Sequence, residues 1–191
     1  MFPFEIHSHT REHSACSRMP LEELIERCVE LEVHGLIVTD HHQPGSELPP
    51  AMAILHPALE PSYPNQDSAG ALVAYKLAWA IAEEFSRGPR LEPKLREFML
   101  NATTLAAIGT VADVVDLRGE NRVLTRFGLQ AVADSKLCGL QALIQAAGLA
   151  GKGVDSTAIG FRLAPVLNAA GRMGHARLAV ELLTSTTEMR A

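Results

Sequence analysis

The sequence predicts an α/β fold: a small parallel sheet of about three strands flanked by helices, followed by an α-helical connector. Three observations predict it. The run Leu36-Ile37-Val38-Thr39 is short, apolar and bounded by turn signals, the pattern of a buried strand. A second strand candidate, Phe4-Glu5-Ile6, lies one helix upstream, and strand, helix and strand in so short a span read as a right-handed βαβ unit. From Ser68 onward the apolar spacing is mostly helical.

Each element follows from local chemistry. Leu21, Leu24, Ile25 and Cys28 fall on one helical face. Pro20 suits the first turn of that helix, and Glu22 and Glu23 complement the positive end of its dipole. The next strand spans 33–39. Gln43-Pro44-Gly45 and Pro49-Pro50 mark a loop, and Ala51 to Leu55 is a third strand candidate. Residues 57–65 are Pro-rich and irregular. Ser68 is expected to cap an alanine-rich helix running to Phe85, which Arg87-Gly88-Pro89 ends. Pro93 opens another helix, carrying Leu95, Phe98, Met99 and Leu105. Further helices are expected over 120–133, 139–147, 156–164 and 175–183, with Gly151-Lys152-Gly153 as a hinge.

Composition narrows the class. A length of 191 residues with 47% hydrophobic content fits one domain, or one domain with a smaller appendage. No apolar run reaches membrane-spanning length, and the first residues lack the basic head and apolar stretch of a signal peptide. Cys16, Cys28 and Cys138 are odd in number and far apart, which points to a reduced, cytoplasmic protein without a disulfide framework. The net charge of −5 argues against holding nucleic acid by bulk charge. Residues 1–117 carry 8 Lys/Arg against 17 Asp/Glu, whereas residues 118–191 carry 9 against 5. An acidic half suited to cations thus precedes a basic half suited to phosphate. Chance variation on solvated faces would give the same split.

The chemistry-bearing residues gather at strand ends. Asp40-His41-His42 follows the strand at 36–39, and open α/β sheets bind ligands at the carboxyl ends of their strands. His7 and His9 end the upstream strand candidate, and residues i and i+2 point the same way. Two such clusters one βαβ unit apart indicate a metal site, and a metal site indicates hydrolysis. Taken alone, His41 and His42 would read as ordinary loop histidines.

From Val38 onward the chain resembles the DHH phosphoesterases, and within them the RecJ-type exonucleases specific for single-stranded DNA. The resemblance rests on Val38-Thr39-Asp40-His41-His42-Gln43-Pro44-Gly45, Gly109-Thr110-Val111-Ala112-Asp113-Val114-Val115 and Gly119-Glu120-Asn121-Arg122. Gly160-Phe161-Arg162-Leu163-Ala164-Pro165 and Leu167-Asn168-Ala169-Ala170-Gly171-Arg172-Met173-Gly174 follow in the family's order. The first 42 residues resemble the start of a PHP (polymerase and histidinol phosphatase) domain, through Ile6-His7-Ser8-His9-Thr10, Ser14-Ala15-Cys16-Ser17 and Gly35-Leu36-Ile37-Val38-Thr39-Asp40-His41. The chain therefore reads as a hybrid joined near 36–42. A natural fusion, an engineered splice and an assembly error would leave the same pattern.

The DHH resemblance implies a partial phosphoesterase domain over 1–118 and a helical connector with a phosphate-binding region over 119–191. It implies metal-dependent, 5′–3′ hydrolysis of single-stranded DNA in recombination and repair, with Mn²⁺ or Mg²⁺. It implies Asp40, His41 and Asp113 as metal ligands, with Asp40 and His42 catalytic and His42 placed to touch the scissile phosphate or to protonate the leaving group. The PHP resemblance adds His7 and His9 as ligands. Asn168 and Arg172 are the phosphate contacts the DHH resemblance implies, and His175 and Arg177, at an expected helix N-terminus, would extend that patch. Departures from the family pattern are also legible. The Asp-rich first motif and the C-terminal DHHA1 domain find no match, Val166 stands where a basic residue is usual, and Asp116 stands where a proline is common. They motivate a second reading, a catalytically incomplete fragment or remnant that binds metal or phosphate without turnover. A PHP-type phosphatase is a third. With its first strands missing, the sheet is expected to expose an edge through which the chain self-associates.

Overall fold

The computed structural model describes residues 35–88, 90–172 and 176–187. The strand and helix expected before residue 35 lie outside them, as do His7, His9 and His175. The chain divides between His56 and Pro57 into two compact units.

In the first unit, β1 (Ile37–Thr39) and β2 (Ala53–Leu55) form a parallel pair, and they are the two strands among the described residues. Ile37 faces Ala53, Val38 faces Ile54 and Thr39 faces Leu55. The ladder continues at both ends: Met52 N–H donates to the Leu36 carbonyl at 2.8 Å and Asp40 N–H to the Leu55 carbonyl at 3.2 Å. β1 is not the buried strand its apolar run predicts. Ile37 is 45% exposed and Thr39 is also exposed, whereas Val38 is half-buried. Side chains alternate between sheet faces, so Ile37 and Thr39 share the solvated face.

The second unit is helical. A 3₁₀ turn, Pro57–Leu59, precedes α1 (Gly70–Ser86), α2 (Pro93–Ala112), α3 (Gly119–Val132) and α4 (Cys138–Ala146). Then come α5 (Ser156–Ala158), a π-helical segment (Ile159–Leu163), α6 (Ala164–Arg172) and α7 (Ala176–Thr184). α1 stops where Arg87 turns left-handed at φ 50°.

Two local expectations need correction. Ser68 does not cap α1. Its buried hydroxyl donates to the Asn65 carbonyl at 2.8 Å, and the cap position is Ala69. The upstream loop supplies an acceptor for a hydroxyl that has no solvent. The helix expected over 156–164 continues to Arg172 through the π-helical segment. Pro165 explains the change of winding. It has no N–H to give to the carbonyl of Phe161, and its ring crowds that carbonyl. The helix widens one turn earlier, and Ala164 N–H bonds to the Ile159 carbonyl instead. Asp155 caps the start of the run by accepting from Ala158 N–H at 2.7 Å.

The main core joins Ile108, Val132, Leu140, Leu143, Ile144, Ile159 and Leu163, so α2 to α4 and the π-helical segment share one apolar interior. A smaller cluster of Leu72, Ala106 and Leu124 joins α1, α2 and α3. Close approach depends on missing side chains. A Cβ on Gly109 would meet Ala71, one on Gly128 would meet Ala107 and the Thr103 carbonyl, and one on Gly139 would overlap the Leu182 carbonyl. No helix among the described residues is long and apolar enough to cross a membrane.

Candidate functional site

The parallel ladder delivers Asp40-His41-His42 from the end of β1 and His56 from the end of β2. The Asp40 carboxylate then folds back on its own loop. Its Oδ1 accepts from His41 N–H at 2.7 Å, His42 N–H at 3.2 Å and His42 Nδ1 at 2.7 Å. An aspartate bonding the amides that follow it is a turn-forming device, and here it also sets the state of an imidazole. Since Nδ1 donates, the neutral His42 ring carries its lone pair on Nε2. The His42 side chain is 51% exposed.

Partial burial pushes the Asp40 carboxyl up, but the hydrogen bonds from the His42 ring and from the two amides outweigh it, and the net shift is downward. Asp40 is therefore ionised at neutral pH. His41 packs its ring against His42 with centroids 4.5 Å apart. One ligand atom each from Asp40, His41 and His42 lies within 4.8 Å of the others. A carboxylate with imidazoles is a donor set that suits a divalent transition metal.

In the helical unit, Asp113 ends α2, its N–H bonded to the Gly109 carbonyl at 3.0 Å. Val114, next in the chain, is left-handed at φ 58°, an uncommon conformation for a β-branched residue and the reason the helix cannot continue. Asp113 lines a cleft of about 660 Å³ together with Gly109, Gly160, Ala164 and Asn168. The structure thus brings two sequence-predicted residues, Asp113 and Asn168, to one concave surface. The side chain of Arg172 lies outside the described residues.

Sequence reasoning missed a polar cluster centred on Gly119-Glu120-Asn121-Arg122, although this motif stood in the family series. Asn121 is buried at the start of α3. It accepts from Asn65 Nδ2 at 2.8 Å and donates to the carbonyls of Asp67 at 2.9 Å and Asp116 at 3.0 Å. Lys76 reaches Glu120 at 2.8 Å and the Tyr63 hydroxyl at 2.5 Å. Burial pushes the Lys76 amine down and the Glu120 carboxyl up. Mutual hydrogen bonding and charge reverse both, leaving Lys76 raised and Glu120 lowered. The cluster ties the loop before α1 to the segment between Asp113 and α3. Asn121→Ala would take one hydrogen bond from each of the Asp67 and Asp116 carbonyls and the Asn65 amide, although Arg118 N–H still serves Asp116 and Glu120 still serves Asn65. It is expected to cost about 1–3 kcal/mol, read as a lower urea midpoint at unchanged slope.

Residues 11–110 match the DHH family, N-terminal domain. The chain belongs to the DHH family. The matched DHH range begins inside the PHP-like stretch. The single-stranded-DNA-specific exonuclease RecJ of Thermus thermophilus is 42% identical over 163 residues, covering 85% of this chain and 22% of that protein. Its Bacillus subtilis counterpart is 41% identical over 158 residues, covering 82% and 18%. This chain thus spans about a fifth of the length of these DHH relatives. A crystal structure of the Thermus thermophilus RecJ in complex with Mn²⁺ superposes with a TM-score of 0.69 at 38% identity, covering 87% of this chain and 24% of that one. A second, of an exonuclease RecJ bound to manganese, gives 0.70 at 37% identity, covering 91% and 42%.

Proposed function

We propose that this chain performs metal-dependent phosphodiester hydrolysis, as a RecJ-like 5′–3′ exonuclease of single-stranded DNA in recombination and repair. The observation that carries the reading is the Asp40-His41-His42 cluster at the carboxyl end of a parallel strand, in a chain of the DHH family. Asp40 and His41 hold the cation, Mn²⁺ or Mg²⁺. Asp113 is the further carboxylate that the family's motif assigns to metal. His7 and His9 are assigned by their HxH spacing. When bound, the ion supplies Lewis acidity at the phosphate and acidifies water.

The remaining steps belong to the side chains. Asp40 fixes the His42 ring through Nδ1, and His42 holds and moves a proton at Nε2, giving it to the leaving oxygen. Asn168 donates its amide to a phosphate oxygen. Arg172 and His175 are the other phosphate contacts of this reading, within a helical connector and phosphate-binding region that runs from residue 119. We place the protein in the cytoplasm, with self-association through the edge of the β1–β2 sheet.

The test is hydrolysis of a 5′-labelled single strand by the full chain with Mn²⁺. Turnover is expected in the wild type and in neither His41→Ala nor Asp113→Ala. Wild-type turnover no greater than that of the variants removes the enzyme reading.

A further inference from the structure

We propose that His56 is a positioning residue for His42, a role that rests on the hydrolase reading above. The two strands end in register, with Thr39 beside Leu55, so the next residues, Asp40 and His56, leave the sheet side by side. Asp40 N–H closes the ladder on the Leu55 carbonyl. The half-buried His56 ring then reaches the His42 main chain, with Nε2 2.7 Å from its carbonyl oxygen. A carbonyl can only accept, so Nε2 of His56 carries the proton and the tautomer is set. Pro57 confines the His56 backbone to extended conformations, which limits the directions its ring can take.

Among the described residues, the loop after β1 is consequently held at two points. Asp40 Oδ1 grips the amides of His41 and His42 and the His42 ring. His56 grips the His42 carbonyl from the other strand, fourteen residues later. Without the second point, the carbonyl side of His42 loses this anchor, and rotation there would swing the ring away from Asp40. The same loop carries the proposed ligands Asp40 and His41, and partners that orient metal ligands typically change affinity by about 10–100-fold when lost.

The experiment compares the full chain with His56→Ala and His56→Gln, since glutamine retains an N–H donor on a flexible stem. In metal-free protein, ¹⁵N-histidine ring spectra should show wild-type His56 as the Nε2–H tautomer and His42 as the Nδ1–H tautomer. His56→Ala should shift the His42 ring signals toward tautomer averaging, and His56→Gln should restore them in part. By calorimetry, Mn²⁺ affinity should fall about tenfold in His56→Ala and recover in His56→Gln. Thermal midpoints of both variants identify any loss that merely follows unfolding. Unmoved His42 signals in a folded His56→Ala would overturn the proposal. A wild type that binds no Mn²⁺ would remove the hydrolase reading instead, and the His42 ring signals would still decide the positioning role.

Discussion

Asp40→Asn is expected to lower Mn²⁺-dependent hydrolysis of single-stranded DNA by about 10²–10⁴-fold, the range for acid–base catalysis by a group, here His42, that loses its positioning. The substitution keeps an oxygen that can accept from the His41 and His42 amides, so the turn should persist and thermal stability should stay within about 1 kcal/mol of wild type. What disappears is the charge. The native carboxyl is held below its ordinary value by hydrogen bonds from the His42 ring and two amides, so it stays anionic well into acid solution. An amide supplies neither an anionic ligand for a cation nor a charged partner for the His42 ring. Asp40→Ala should lose the turn as well, and the difference between the two variants measures what the turn contributes. Near-wild-type turnover in a folded Asp40→Asn would separate the aspartate from the chemistry.

Gly139→Ala is expected to be the most damaging small substitution in the helical unit. Helix propensity alone would favour alanine by about 1 kcal/mol. The added methyl would overlap the Leu182 carbonyl, which is α7 backbone and cannot rotate aside. Separating α4 from α7 opens the core around Leu140, Leu143 and Leu182. A net loss of about 2–3 kcal/mol is expected, at the upper end for overpacking. Gly160→Ala is the contrast, because nothing lies within 4 Å of the added Cβ and its φ is not positive. Its urea midpoint should match or exceed the wild-type value. Equal midpoints for the two variants would mean that α7 does not lie against α4 as described.

The helices were largely legible in the sequence because their punctuation is local. Pro93 opens α2, Arg87-Gly88 closes α1, and Gly119 with φ 46° starts α3. The π-helical segment was not legible, although Pro165 was visible. Whether a proline ends a helix or widens it depends on packing, and here Ile159 and Leu163 are fully buried and hold the chain helical through it. β1 was found in the right place but read as more buried than it is, since an apolar run reports composition and not what covers it. The Asp40-His41-His42 cluster was legible from motif and strand-end position. The Asn121 cluster was not. Its partners are the Asn65 side-chain amide and the main-chain carbonyls of Asp67 and Asp116, which sequence spacing does not bring together. His56 escaped for a related reason: its contact is with main chain, which leaves no signature in residue identity.

The central claim is that the strand-end carboxylate and imidazoles bind a divalent cation. Calorimetric titration of Mn²⁺ into the metal-free full chain tests it most directly. Saturable binding of at least one ion per chain is predicted, weakened by at least about tenfold in His41→Ala. No saturable binding, or the same isotherm for His41→Ala, would contradict it.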